Sequence, residues 1–559
     1  MLKELLKQQK FLYSQIQLYK RKQRHKQDKP DWNQVIQKDS GKWQAALNQA
    51  KTGANILVAT SVGGDIHMIS IESLLAVALT LRETQVHILL CDGVLPACFW
   101  CDSQIYPNYK YFARTGPQPD LCQNCFTFAQ NLLQPLGLIV HCYSELLTPT
   151  DARETEKIAH SLPFSEIPAY TLDGVAVGEH ALAGALRFYA RSSLQGETYG
   201  ESILRRYFQA ALLTTKATQK LLQTVAFDCA VFNHGIYVPQ GLIGEVARSL
   251  GVRVVNWNPA YRKQCFIFTH HDTYHHQLMC ETVSNWENMP FTQEQEDELM
   301  GYLKSRWDGS QDWIWFHEHP EFDLQAIASE TGVDFSQPCI GLLTNVLWDA
   351  QLHYPANAFE NMLDWVLQTI NYFAQRPDLQ LLIRVHPAEI RGTLISRQPL
   401  VEEINKFIPQ LPPNVFLIPP ASGVSTYAAM LQCNAVLIYG TKMGVELTSM
   451  GIPVIVAGEA WIRHKNITMD ASSVEEYFEY LAKLPLKQGL DEETTRRARK
   501  YAYHFFFRRM IPLEFTTEAK NASEYKLKEF GLDDLMPGKS KGLDVICNGI
   551  LQGTEFIYE

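Results

Sequence analysis

The stretch 434–458, NAVLIYGTKMGVELTSMGIPVIVAG, constrains the fold more than any other part of the chain. An apolar run at 435–438 stops at Gly440, and Thr441, Lys442, Met443 and Gly444 make a small glycine-bounded loop. Residues 445–450 read as a short helix, and Gly451-Ile452-Pro453 leads into a second apolar run at 454–457. This is a strand–loop–helix–strand unit of an α/β protein. Gly440 and Gly444 let the backbone approach an anion, with the N–H groups of the starting helix and the charge of Lys442 aimed at it. The two carboxylate oxygens of Glu446 suit a vicinal diol such as a ribose. The same glycines equally serve a tight turn that binds nothing.

The alternation recurs from Ala54 onward. A buried-strand run at 55–60 meets the turn Ser61-Val62-Gly63-Gly64-Asp65-Ile66-His67, a helical stretch follows to Arg82, and 85–91 is the next strand. In open α/β sheets the ligand lies beyond the carboxyl ends of the strands, so Gly63, Gly64, Asp65 and His67 are expected to face substrate. G-x-G-x-x-G is not readable here, which argues against a nicotinamide cofactor. The strand at 229–232 runs into Asn233-His234-Gly235-Ile236-Tyr237, so Asn233, His234 and Tyr237 occupy the equivalent position; a histidine there suits a base or a phosphate donor, or a loop satisfied by backbone. His271 and His275 would share a face if 270–276 were helical, which a metal could use; a polar loop accounts for them equally well. The second half repeats the pattern, with strands at 339–343, 380–385 and 415–418. Arg384 and His386 close the second of these and suit a nucleotide phosphate.

Between 92 and 130 the pattern is interrupted by Cys98-Phe99-Trp100-Cys101, twenty residues, then Cys122-Gln123-Asn124-Cys125. Two C-x-x-C knuckles can complete a tetrahedral four-thiolate site, so a structural zinc is expected on Cys98, Cys101, Cys122 and Cys125, with an iron–sulfur cluster or a redox pair as alternatives. Four protein ligands leave no open position, so no catalytic metal is expected there.

At 559 residues the chain exceeds one ordinary core. The expected division is a basic N-terminal extension (1–50), a first α/β domain with the cysteine insertion (51–330), a second α/β domain (331–490), and a helix and tail packing back on the first (491–559). The extension carries a basic cluster at 20–26 and a candidate amphipathic face of Leu2, Leu5, Leu6, Phe11 and Leu12, compatible with peripheral membrane contact or with packing on the body. A basic, aromatic stretch at 491–510 has the same two readings, and the tail after Pro537 reads as loosely structured. A net charge of −10 argues against nucleic acid as a partner. The start lacks the apolar core of a signal peptide and no stretch approaches the ~18–20 apolar residues of a membrane span, so a cytoplasmic location is expected.

The segment YGTKMGVELTSMGIPVIVAGEAW resembles the donor-sugar segment of GT-B glycosyltransferases. The run 461–470 followed by Ser473-Val474-Glu475-Glu476-Tyr477, and H-G-x-Y-x-P-x-G at 234–241, resemble the branch that builds bacterial capsular and surface polysaccharides. The H-P pair at 386–387 is similar to the nucleotide motif of sialic-acid and Kdo transferases. The resemblance implies two doubly wound Rossmann-like domains facing a cleft. It also implies transfer of a sugar from a nucleotide sugar to a cell-surface glycan or a lipid-linked acceptor, metal-independent and inverting. Arg384, His386, Gly440, Thr441, Lys442, Gly444 and Glu446 would then bind the donor, with Gly63, Gly64, Asn233 and Tyr237 on the acceptor side. Asp65 or His234 would serve as base, with His67 and Asp92 as competitors. A nucleotide-sugar 2-epimerase, a polyol-phosphate transferase and a non-catalytic polysaccharide assembly protein are the alternatives.

Overall fold

The computed structural model describes residues 29–559 together with Ile16 and Tyr19, apart from 308, 314–319, 351, 353 and 519–524. The expected amphipathic face of Leu2, Leu5, Leu6, Phe11 and Leu12 and the basic cluster 20–26 lie outside the described residues. The chain is an α/β protein with two largely parallel sheets. The N-terminal sheet holds β1 (Asn55–Ser61), β2 (Gln85–Leu90), β3 (Ile139–Cys142), β4 (Cys229–Asn233), β5 (Arg253–Pro259) and β6 (Cys265–His270). The C-terminal sheet holds β7 (Cys339–Leu343), β8 (Gln380–Arg384), β9 (Val415–Ile418), β10 (Ala435–Ile438), β11 (Val454–Val456) and β12 (Met469–Asp470).

Strand order is what positions a site. The N-terminal sheet runs β13-β6-β5-β4-β1-β2-β3, where β13 (Ile511–Pro512) comes from near the C-terminus. β1 through β5 are parallel; at one edge β6 runs antiparallel to β5, and β13 antiparallel to β6. The C-terminal sheet runs β12-β11-β10-β7-β8-β9 and is parallel throughout. Both sheets reverse their winding direction once, between β1 and β4 and between β7 and β10, and crevices for ligands open at such points. The strands are apolar on both faces because helices cover both: every residue of β4, β7 and β8 is buried.

Two local expectations are corrected, and a third stretch takes the packing that was one of its two readings. The histidine-rich stretch around His270 is in part a strand, β6, because Cys265–Phe268 packs into two cores, Cys265 and Ile267 on one face and Phe266 and Phe268 on the other. The tail after Pro537 is the helix Lys541–Gln552, whose Leu543, Ile546 and Ile550 close the core over the helix Ile66–Thr80. All of Ile66–Thr80 except His67 is buried, so its outer face needs that cover. The basic helix Glu492–Tyr503 spends its charge internally: Arg496 and Arg499 pair with Glu296, and Arg497 with Glu287. Beyond it Arg509 pairs with the buried Glu281. Among the described residues no helix is long and apolar enough to cross a membrane.

Candidate functional site

A cleft of about 2550 Å³ lies at the carboxyl ends of both sets of strands. From the N-terminal sheet it is lined by Gly64, Asp65 and His67 after β1, Asn233 and His234 after β4, and Asn258 at the end of β5. From the C-terminal sheet come Asn345 and Asp349 after β7, Arg384 and His386 after β8, Gly440, Thr441 and Lys442 after β10, and Glu459 after β11. Most of the residues singled out from the sequence therefore meet at one place, although they span almost four hundred positions.

Their roles differ from expectation in several cases. Asp65 caps the helix Ile66–Thr80, with Oδ1 accepting from the amides of His67 (3.0 Å) and Met68 (3.1 Å) and Oδ2 from the Trp100 indole (3.3 Å). His67 donates from Nδ1 to the Tyr525 carbonyl at 2.7 Å. His234 sits at φ +64 beside Gly235, with its ring against Tyr237 and Phe99. Burial, then the charge of Arg187, lowers it to about 3, so the imidazole is neutral, and its Nδ1 is buried without a hydrogen-bond partner. Tyr237 is fully buried and faces the opposite half: its hydroxyl donates to Asp349 Oδ1 at 3.0 Å and accepts from the Ala350 amide at 3.2 Å. It is a strut between the halves, where a contact with substrate was expected. Asn233 Nδ2 donates to the Trp257 carbonyl and to Asn258 Oδ1.

The loop after β10 is corrected most. The amide of Gly440 donates to Asn345 Oδ1 (3.2 Å) and that of Met443 to Thr441 Oγ1 (3.3 Å), so the N–H groups expected to face an anion are satisfied within the protein. Gly444 is required by packing, since a Cβ there would stand 2.6 Å from Ile438 Cδ1 and 2.8 Å from Ile462 Cγ2. Glu446, the expected ribose ligand, is fully buried and pairs with Arg306 Nε at 3.1 Å, while the Tyr427 hydroxyl donates to it. Lys442 does face the cleft, stacked on Tyr261 at 4.8 Å; burial, then the charge of Arg306, lowers it to about 8.

Arg384 lines the cleft but donates to the carbonyls of Pro419 (2.7 Å) and Ser422 (3.4 Å) and to Thr426 Oγ1, which fixes the loop after β9 in place of a phosphate; burial lowers it to about 10. His386 accepts from the Ala388 amide at Nδ1 (3.1 Å), which leaves the neutral ring its hydrogen on Nε2. Asp92 accepts from the Ser144 amide. The histidines of 270–276 disperse: His270 bonds the Thr554 carbonyl, His276 meets Asp272 at 3.2 Å, and His275 lines the cleft.

The four cysteines line one small cavity behind the β1 loop. Cys98 and Cys101 sulfurs are 3.8 Å apart, the separation that about 2.3 Å Zn–S bonds give two tetrahedral thiolates. Gly63 and Gly64 allow the helix Pro119–Leu133 to pack close: a Cβ on Gly63 would stand 2.3 Å from Ala129 Cβ, and the Gly64 amide donates to Cys125 Sγ at 2.9 Å. The donor set suits zinc, but among the described residues no three His, Cys, Asp or Glu side chains are gathered closely enough to hold an ion.

Sequence reasoning missed Asn258, Asp349 and Glu459. All three stand at or beyond strand carboxyl ends, the same signal that found Asp65 and His234. Among the described residues, five that line the cleft carry a buried side-chain atom with neither a hydrogen-bond nor an ion-pair partner: His234 Nδ1, Asn258 Nδ2, Trp313 Nε1, Trp348 Nε1 and Glu459 Oε2. Buried polar atoms are ordinarily paired, so such a concentration marks a place where a polar ligand completes the bonding.

No protein-family model matches the chain, and no curated protein matches it. Solved structures similar to it include sugar-transfer enzymes, nucleotide-sugar epimerases and a CDPS from Fluoribacter dumoffii. A Thermosulfurimonas dismutans KpsC structure described as a beta Kdo 2,7 transferase is 11% identical, covering 57% of this chain and 88% of that one at a TM-score of 0.31. The spinosyn rhamnosyltransferase SpnG is 12% identical over 80% and 95%, at 0.23. The UDP-GlcNAc 2-epimerase from Neisseria meningitidis is 11% identical over 89% and 100%, at 0.27. At these scores the likeness does not bear on the site.

Proposed function

We propose that the chain is a glycosyltransferase of GT-B architecture, with two doubly wound domains (51–330 and 331–490) facing the cleft and 491–559 packing back on the first. It moves a sugar from a nucleotide-activated donor to a cell-surface glycan or its lipid-linked precursor. It works without a catalytic metal, in the cytoplasm. The observation that carries this reading is the cluster of partnerless buried polar atoms drawn from both sheets onto one cleft. A hydroxyl-rich substrate supplies the hydrogen bonds that they lack.

The donor phosphate is met by Lys442 and by the Nε2–H of His386. The acceptor oxygen attacks the anomeric carbon as the bond from that carbon to the phosphate oxygen breaks, with the electron pair leaving on the phosphate. Neutral His234 takes the acceptor's proton. His234 is preferred over Asp65, whose oxygens already serve the helix N-terminus and Trp100. Attack opposite the leaving group inverts the sugar. The four cysteines would have to draw together from the arrangement seen here to hold a structural zinc, which would then fix the β1 loop.

The test is thermal unfolding of the purified chain with CMP, CDP, UDP, GDP and ADP. One nucleotide is expected to raise Tm, since a ligand of the folded form adds to its stability. Lys442→Ala and His386→Ala should each weaken that nucleotide by about tenfold. His234→Ala should keep it bound and lose at least about a hundredfold in transfer. If none of the five binds, the reading fails. Conversion of a nucleotide sugar to its epimer without any acceptor would replace transfer by epimerisation.

A further inference from the structure

Glu459 stands three residues beyond β11, with the loop after the neighbouring strand β10 at its side: a Cβ on Gly440 would lie 3.0 Å from the Glu459 carbonyl. The side chain is 7% exposed and lines the cleft. Its Oε1 accepts from the Ala356 amide at 3.4 Å and its backbone amide donates to Asn357 Oδ1 at 2.8 Å, while Oε2 has no partner among the described residues. Lys465, a buried cation within electrostatic reach, donates instead to the carbonyls of Met279 and Arg463 at 3.0 Å. Tyr354, which lines the same cleft, lies within electrostatic reach of Glu459, and its hydroxyl is 3.4 Å from His275 Nδ1. Glu459 thus lies beside the loop after β10 that carries Lys442 and within reach of Tyr354, on a wall of the cleft that a sugar joined to a phosphate at Lys442 can meet.

We propose that Glu459 selects the donor sugar: it accepts hydrogen bonds from the hydroxyls of a neutral sugar and excludes sugars that carry a carboxylate. This rests on the nucleotide-sugar reading above and adds the substrate class to it. The chemistry is one of sign. A sugar hydroxyl donates to the partnerless Oε2 and completes its bonding. A sugar carboxylate offers no hydrogen and brings a second negative charge into a partly desolvated wall, where like charges repel more strongly than in water.

The experiment measures binding to the full chain of paired donors that differ only in the sugar carboxylate: UDP-glucose against UDP-glucuronate, and GDP-mannose against GDP-mannuronate, with free UDP, GDP and CMP. Wild type should bind the neutral member of the recognised pair at least about tenfold more tightly. Glu459→Gln, which keeps the shape and the Ala356 contact, should reduce that ratio to about threefold or less while leaving free-nucleotide affinity within about twofold. Equal or tighter binding of the acidic donor by wild type, or a ratio unchanged in Glu459→Gln, overturns the proposal. So does binding of CMP alone, because the sugars carried by CMP are acidic; in that case nucleotide-sugar recognition stands and the selection by Glu459 falls. Absence of binding by every nucleotide and donor overturns both. Equal unfolding temperatures of wild type and Glu459→Gln confirm that the comparison is between folded proteins.

Discussion

At the scale of single residues, the molecule keeps several ionisable groups under conditions that move them far from their solution behaviour. Glu72, on the inner helix Ile66–Thr80, is 1% exposed; the Trp257 indole donates to Oε1 at 3.4 Å and Oε2 has no partner. Burial raises its carboxyl to about 8. The folded state therefore keeps a proton that the unfolded chain releases near 4.5, so stability falls as pH rises through roughly 4.5 to 8 and is level above that. Glu72→Gln should flatten the dependence of Tm on pH across this window and raise stability at pH 8 by on the order of a few kcal/mol, read as a higher Tm. A parallel curve for variant and wild type would show that Glu72 is ionised in the folded protein.

At the scale of elements, the cysteine loop and the β1 turn form one unit. The two residues inside the first knuckle, Phe99 and Trp100, line the cleft: Phe99 carries Arg187 at 4.1 Å above its ring, and Trp100 holds Asp65. A zinc on the four cysteines would therefore steady the floor of the site as well as the loop. The purified chain should contain about one zinc, and Cys122→Ser should remove it and lower Tm by at least about 5 °C. A metal-free protein whose Tm ignores chelators would rule the zinc out. The terminal helix Lys541–Gln552 teaches the converse lesson. Its apolar residues were present in the sequence but were read as a loose tail, because the exposed face of Ile66–Thr80 that they cover is defined only once the sheet has formed.

At the scale of the whole molecule, the two halves are joined by buried charge as well as by chain. Arg306 carries Asp312 at 2.7 Å on one side and Glu446, from the C-terminal sheet's helix Met443–Ser449, at 3.1 Å on the other. Removing one partner of such a pair leaves a buried charge uncompensated, so Arg306→Met should cost about 3–5 kcal/mol. Adding Glu446→Gln should recover part of that loss, read by denaturant unfolding; no recovery would assign the loss to Asp312 and to packing.

The sequence by itself determined the alternation of buried strands and helices, the positions of most strands of the two sheets and the loops that carry Asp65, His234, His386 and Lys442. Those features are local: they follow from the apolar period, the turn residues and the rule that ligands meet the carboxyl ends of parallel strands. Which of those loop residues is available for chemistry was decided only by tertiary structure. Glu446 and Lys442 lie four positions apart on one short segment, yet the first is sealed against Arg306 and the second faces the cleft. Arg306 lies 140 residues earlier in the chain, and no local pattern joins it to Glu446. Tyr237 became a strut for the same reason, because Asp349 approaches it from the other sheet, and Glu459 became a candidate because no partner does the same for its Oε2. Periodicity reports which side of an element is buried, whereas the identity of the partner across a cleft depends on contacts between distant segments that exist only in the folded chain.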